Sequence, residues 1–438
     1  MKSHLIIKLH PQRSIPQFEY WEDIIHNRSN LSKNFIPKID AIIKDKYKLD
    51  FIVTQNYSSK DTKWSKDEIS AGLNRIYRLI LLSSEKKIPQ QLLDEISYLP
   101  VVSFVRQGQV ATSTIPKQKL ATSQSLSSKY IDNSIFLKEA HTITTGHPDI
   151  KIAILDTGIE TSHSEFSKNQ TNLKNKFNDD KDFVNIINGA KQFVGDFLEM
   201  DDIPDDKVGH GTHVAGIIGS AGVNMAIGVA PNCTIIPIKV LGALKTHGKV
   251  VGAGLIDDID AGIKYAVDKG ADVINMSLGI KHTGGGLPHK EVIKYALDNH
   301  VAVIAASGND GKKDKYYPGA LEHVIAVGAA DNIGQVTPFS TFGGHVSITA
   351  PGVNVYSTFL NNSYAMSSGT SQASPFVSGA VALLKSYAMS KGKKIKNNLV
   401  RNILQRTTDK FTSQFKDEKS GFGRINVLDA LKLLKYNL

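Results

Sequence analysis

One cysteine, Cys233, excludes a disulfide within the chain. It lies in the apolar, strand-like run APNCTIIPIKVL and reads as a core residue. No stretch approaches the roughly 18 apolar residues of a membrane-spanning helix. The N-terminal MKSHLIIKLHP is too short for a secretory h-region, and no small-residue cleavage site follows it. A soluble cytoplasmic protein is the default expectation, with non-classical secretion left open. What is present is ordinary globular composition: 438 residues, 41% hydrophobic and 21% charged, enough for a large core and more than one domain. The formal charge of +10 comes mostly from scattered lysines. Their one cluster, KGKKIK at 391–396, sits between two helical runs and reads as a solvated loop. Neither a nucleic-acid nor a membrane partner is expected. The basic balance favours acidic or polyanionic partners without naming one.

Chemistry concentrates in three segments. In SSGTSQASP, Ser371 directly follows Gly-Thr and comes before a long apolar helical run, VSGAVALLKSYA. A serine at a helix start faces unpaired N–H groups and the positive end of the helix dipole, which can stabilise an oxyanion beside its hydroxyl. Ordinary helix capping explains the same residues; on this segment alone the two readings stand level. Upstream, the strand-like KIAILDTGIE ends on Asp156, and in VGHGTHVAGIIG His210 sits in a glycine-rich turn that opens a helix. Serine is a weak nucleophile until a base takes its proton. Histidine suits that role near neutrality, and a carboxylate can orient the imidazole. All three lie at strand ends or helix starts, where α/β sheets bind ligands.

Asp156-Thr-Gly, His210-Gly-Thr-His-Val-Ala-Gly and Gly369-Thr-Ser371-Gln-Ala-Ser-Pro resemble the three signatures of the subtilisin-like serine proteases, in that family's chain order. VAVIAASGNDG resembles its oxyanion strand, and GFGRINVLDALKLL its closing turn and helix. The resemblance runs from about Ile131 to the C-terminus. It implies a three-layer α/β fold with a mostly parallel sheet between helices, and a serine endopeptidase acting on polypeptides. It carries the triad onto Asp156, His210 and Ser371, and the oxyanion hole onto Asn309. Val251-Gly252-Ala253-Gly254 and Ser277-Leu278-Gly279 resemble the two strands that flank substrate, and Ala306 and Gly308 complete that set. Tyr316 falls near the bottom of the primary specificity pocket. It either shrinks the pocket or, on a shortened loop, turns outwards. Gln372 stands where methionine is usual and Phe376 where histidine is common. No cofactor is required. Calcium is a possible structural ion, because Glu165 aligns with a calcium carboxylate, although the loop SAGVNMAIG is slightly shortened.

Rival motifs are weaker. A single DTG lacks the second carboxylate of an aspartic protease, leaving only a one-copy dimer. His210 and His213 lack an HExxH pattern, and His213 reads as structural. GAGLID is not a dinucleotide loop, and SGTSQ is not a GxSxG elbow. A protease fold kept for binding without turnover, and a narrow maturation protease for one partner peptide, are the alternative functions.

Residues 1–110 alternate as β-α-β-β-α-β, a ferredoxin-like α+β pattern. Pro37 is expected to perturb the early part of its first helix. SKDEISAGL reads as an extra helix with a Ser65–Glu68 capping box. In layout this unit is similar to the family's propeptide, which assists folding and inhibits the enzyme; a permanent accessory domain is the alternative. Residues 111–130 read as an exposed linker, with cleavage expected near Val110 to Thr114. Residues 131–438 form the catalytic domain. Between Asp156 and His210, SKNQTNLKNKFNDDKDFVNIINGAK reads as a polar surface excursion. The acidic DDIPDDKVG either holds a cation or is a solvated turn.

Overall fold

The computed structural model describes residues 3–12, 14–26, 31–82, 88–112, 119–120, 134–167, 176–185, 193–195, 200–246 and 248–438. Most of the linker and the start of the expected catalytic domain therefore lie outside the described residues. Strands β1 (His4–Leu9), β2 (Phe51–Gln55), β3 (Ile76–Leu81) and β4 (Val102–Gln107) form an antiparallel sheet in the order β2-β3-β1-β4. With helices at 37–46 and Gln90–Ser97, this is the ferredoxin-like arrangement. Pro37 does not perturb its helix but begins it, where the missing N–H costs nothing. The Ser65–Glu68 capping box is present at the Lys66–Ala71 helix.

Strand β1 is buried on both faces because it serves two cores. Leu5, Ile7 and Leu9 pack with Phe51, Tyr77 and Leu92 inside the N-terminal unit. Ile6 points the other way and packs, with Tyr57 and Leu73, into the core containing Ile259 and Tyr295. Such alternation follows from the two-residue period of a strand.

Two short strands follow, β5 (Val110–Thr112) and β6 (Lys119–Leu120). The large unit then runs through β7 (Lys151–Asp156), β8 (Lys181–Asp182), β9 (Phe193–Val194), β10 (Thr234–Lys239), β11 (Gly242–Thr246), β12 (Lys249–Leu255), β13 (Val273–Met276), β14 (Ala302–Ala306), β15 (Ile325–Ala330), β16 (Val346–Pro351), β17 (Val355–Phe359) and β18 (Ser363–Ser367). Its central sheet is parallel, in the order β16-β15-β14-β13-β7-β10-β8. On β7, Ile152 and Ile154 pack towards helices His210–Gly219 and Thr370–Ser390, while Ala153 and Leu155 pack towards Ile256–Asp268 and Lys290–Asp298. Both faces are thus covered, which is why the strands read as continuous apolar runs. The chain order reverses beside β7, opening a crevice past the carboxyl ends of β7 and β13.

The polar excursion is partly structural. Strand β8 extends the central sheet beside β10, and Lys176, Asp182, Phe183 and Val184 are buried. Its remaining residues, 168–175 and 186–191, lie outside the described ones.

Candidate active site

Asp156 ends β7, and its Oδ1 lies 2.6 Å from Nδ1 of His210, the first residue of the helix His210–Gly219. Both side chains are buried. Glycines bring the two turns together. A Cβ on Gly211 would fall 2.1 Å from the Gly158 carbonyl oxygen, and Gly209 has a left-handed φ of 89° with Phe359 against it. Burial disfavours the imidazolium of His210. The Asp156 charge and hydrogen bond outweigh it, so the His210 pKa is raised above the ordinary histidine value. Among the described residues His210 Nε2 has no hydrogen-bond partner.

Asp206 was not anticipated. It is buried, and its carboxylate accepts from the Val208, Gly209 and Thr212 N–H groups, the Thr212 hydroxyl and the Thr157 hydroxyl. Thr157 Oγ1 in turn accepts from Gly211 N–H. Of the two readings of the acidic turn, neither describes Asp206, which clamps the start of the His210 helix. Burial raises its pKa, against the hydrogen bonds it accepts. His213 is structural, as expected. Its Nε2 lies 3.1 Å from both the Val355 and Ala365 carbonyls, and burial pushes its pKa down to about 4. The described residues contain no cluster of three or more histidine, cysteine or acidic side chains suited to a metal.

Ser371 is the second residue of the helix Thr370–Ser390. Pro375 lacks the N–H that would bond the Ser371 carbonyl. That carbonyl accepts instead from Ser277 Oγ at 2.8 Å, while Ser371 Oγ donates to the Ser277 carbonyl at 2.9 Å. The nucleophile candidate is thereby tied to the strand end after β13, and its hydroxyl is not on His210. Asn309 Oδ1 accepts from Thr370 N–H at 2.8 Å and from Thr370 Oγ1 at 3.0 Å. The amide NH₂ is then the donor left to the cavity that Asn309 lines.

That cavity gathers Ser277, Leu278, Gly279, Ala306, Gly308, Tyr316 and Ser371 on one site, together with Thr112. Gly252, Ala253 and Gly254 lie on β12, across the cleft strand β5, in the register Ala253 to Thr112 and Gly254 to Ala111. Gly254 admits no side chain, since a Cβ would lie 2.0 Å from the Val240 carbonyl oxygen. Gln372 is buried, with no hydrogen-bond partner for its amide among the described residues, and Phe376 packs in the core.

Glu165 does not fit a calcium ligand here. Its Oε2 accepts from the Gly222 and Val223 N–H groups, and its Oε1 from Asn224 N–H and the Tyr364 hydroxyl. About four lone-pair positions are available on a carboxylate, and four donors take them. The loop presents N–H groups towards the site, which repel a cation.

The subtilase family model matches residues 147–423. Over 308 residues the chain is 35% identical to a thermophilic serine proteinase of Bacillus sp. (strain AK1), covering 69% of this chain and 67% of the relative. It is 40% identical over 245 residues to the major intracellular serine protease of Bacillus subtilis (strain 168), covering 55% and 69%. The solved structure of the prenylagaramide maturation protease PagA aligns with a TM-score of 0.54 at 29% identity, over 68% of this chain and 98% of PagA.

Proposed function

The chain belongs to the subtilase family and is a serine endopeptidase, and we propose that it hydrolyses peptide bonds through an acyl-enzyme on Ser371. The observation that carries this reading is the buried 2.6 Å pair of Asp156 and His210, with His210 on a helix packed against the helix that carries Ser371. Ser371 Oγ turns from the Ser277 carbonyl to His210 Nε2 when a substrate strand's N–H takes that carbonyl. The hydroxyl oxygen attacks the scissile carbonyl carbon while Nε2 accepts its proton. Asp156 fixes the tautomer and stabilises the imidazolium. The oxyanion is held by the Asn309 side chain and the Ser371 N–H, an unpaired donor of the helix start. The imidazolium returns the proton to the leaving amine, and water then hydrolyses the ester by the same route.

The N-terminal unit acts as the enzyme's own inhibitor in this reading. Strand β5 makes an antiparallel ladder with β12, the pairing by which an extended peptide adds to a strand edge, and Thr112 stands at the nucleophile's cavity. Cleavage near Val110 to Thr114 releases it; Ser113 and Thr114 lie outside the described residues. The likeness to a maturation protease favours, as a second reading, a narrow enzyme for one partner peptide. A fluorophosphonate probe tests the nucleophile: labelling of the wild type and none of Ser371→Ala is expected. Labelling that survives the substitution would overturn it. Intact mass of the purified active sample tests the processing, which fails if only the uncleaved chain is found.

A further inference from the structure

We infer that Tyr316 fills the side-chain pocket beside Ser371, so that the enzyme cleaves after residues no larger than threonine; this rests on the proposed role of Ser371. The pocket lies between two strand ends, Ser277–Gly279 and Ala306–Gly308. Both walls are glycine where they meet the tyrosine. A Cβ on Gly308 would stand 2.5 Å from Tyr316 Cδ2 and 2.8 Å from its Cε2, and one on Gly279 would stand 3.2 Å from Tyr316 Cβ. The ring therefore occupies the slot that a large substrate side chain would need.

The ring is also anchored. Its hydroxyl donates to Asp310 Oδ2 at 3.3 Å, and Asp310 Oδ1 accepts from Thr341 Oγ1 at 2.6 Å. Lys281 Nζ sits 3.0 Å from Asp310 Oδ2 and 5.2 Å from the ring centroid, so one cation holds both the carboxylate and the aromatic face. Lys281 also pairs with Asp314. The neighbouring backbone is fixed by two hydrogen bonds between Ile280 and Tyr317, at 2.8 and 3.0 Å. Swinging the ring outwards would break this set. With Thr112 of the chain's own strand also lining it, the void that remains is about 20 Å³, room for one water. The residue that the chain itself brings to this pocket is Thr112, within the small-residue run Val-Ala-Thr-Ser-Thr.

The test is a cleavage profile. The active protein is given peptides that differ only at the residue before the cut, with fluorophosphonate labelling run in parallel. Alanine, serine or threonine should exceed phenylalanine and leucine by about 100-fold in kcat/KM, the discrimination expected of a steric pocket. Tyr316→Ala should raise the phenylalanine-to-alanine ratio at least tenfold, and Tyr316→Phe should keep the small-residue preference. A wild-type profile that accepts phenylalanine as readily as alanine overturns the inference, as does an unchanged ratio in Tyr316→Ala. Because the wild-type profile decides alone, a variant that fails to fold does not rescue the idea. Absence of labelling in the wild type overturns the nucleophile; labelling with a flat profile overturns only the pocket.

Discussion

His210 titrates in a site where two opposing effects meet, and this sets the pH dependence of turnover. Burial alone would lower its pKa, while Asp156 raises it above the ordinary histidine value. The base works only when neutral, so kcat/KM should rise with pH through a midpoint above that value. Asp156→Asn removes the larger raising charge and leaves only the smaller effect of Asp206 against burial. The midpoint should then fall and kcat drop on the order of 10⁴-fold, because the imidazole loses its tautomer control; pH–rate profiles of the two proteins check both. Asn309→Ala should cost about 10²–10³ in kcat, read in steady-state turnover. The candidate triad was legible because its serine, histidine and aspartate each stand close to a glycine at a strand end or helix start. Asp206 was not. DDIPDDKVG carries four carboxylates, and sequence alone does not tell buried Asp206 from exposed Asp205. The available signal was its spacing from Gly209, three residues on, which suits a carboxylate bonding its own turn. Tyr316 was located but its direction was not, since that depends on Lys281 and Asp310 closing around it.

Elements with a strong local pattern matched the expectation, and those decided by tertiary contact did not. The alternating strands and helices of the large unit, and the capping box at Ser65, follow from period and local chemistry. The segment around Lys176 to Val184 is polar enough to read as surface, yet it is drawn onto the sheet edge by pairing with β10. There Lys176 Nζ is satisfied by the Pro231 and Cys233 carbonyls. The loop after the His210 helix shows the same limit. Its family resemblance pointed to a cation at Glu165, whereas its backbone folds as a cradle of N–H donors for the carboxylate. Chelation by EDTA should therefore leave hydrogen exchange of the Gly222, Val223 and Asn224 amides unchanged. Glu165→Gln turns an NH₂ towards those donors and leaves a buried donor without its acceptor. It should destabilise the fold by about 1–3 kcal/mol, measured by denaturant unfolding, and speed exchange at the same amides.

The two units meet over a surface that is apolar at Ile6, Leu73 and Ile259 and charged beside it. Asp257 and Asp260, in the first turns of the helix Ile256–Asp268, face Arg106 of β4 at 3.3 and 3.4 Å. His4 of β1 reaches Asp257 at 2.8 Å, and His289 reaches Asp260 at 2.5 Å. Lys264 of the same helix pairs with Glu68 at 2.8 Å. Burial alone would raise the Asp257 pKa; the His4 hydrogen bond and the charges of Arg78 and Arg106 hold it well below the ordinary carboxylate value. A group lowered in this way stabilises the docked state fully above its ordinary pKa. That contribution is lost as pH falls through the lowered value. Near neutrality the Asp257 contribution is therefore in force, and acid below the ordinary carboxylate range should loosen the N-terminal unit. Removing one partner is more severe than acid, because it strands buried charge. Arg106→Ala leaves Asp257 and Asp260 facing each other without their shared cation. It should weaken docking by about 3–5 kcal/mol. The measurement is a titration of the separately expressed N-terminal unit against the cleaved enzyme, with residual peptidase activity as the readout. Wild-type N-terminal unit should inhibit, and the Arg106→Ala unit should need at least a hundredfold more to do so, the lower bound of that cost. Equal inhibition by both would mean that the apolar contacts around Ile6 hold the interface without the charges.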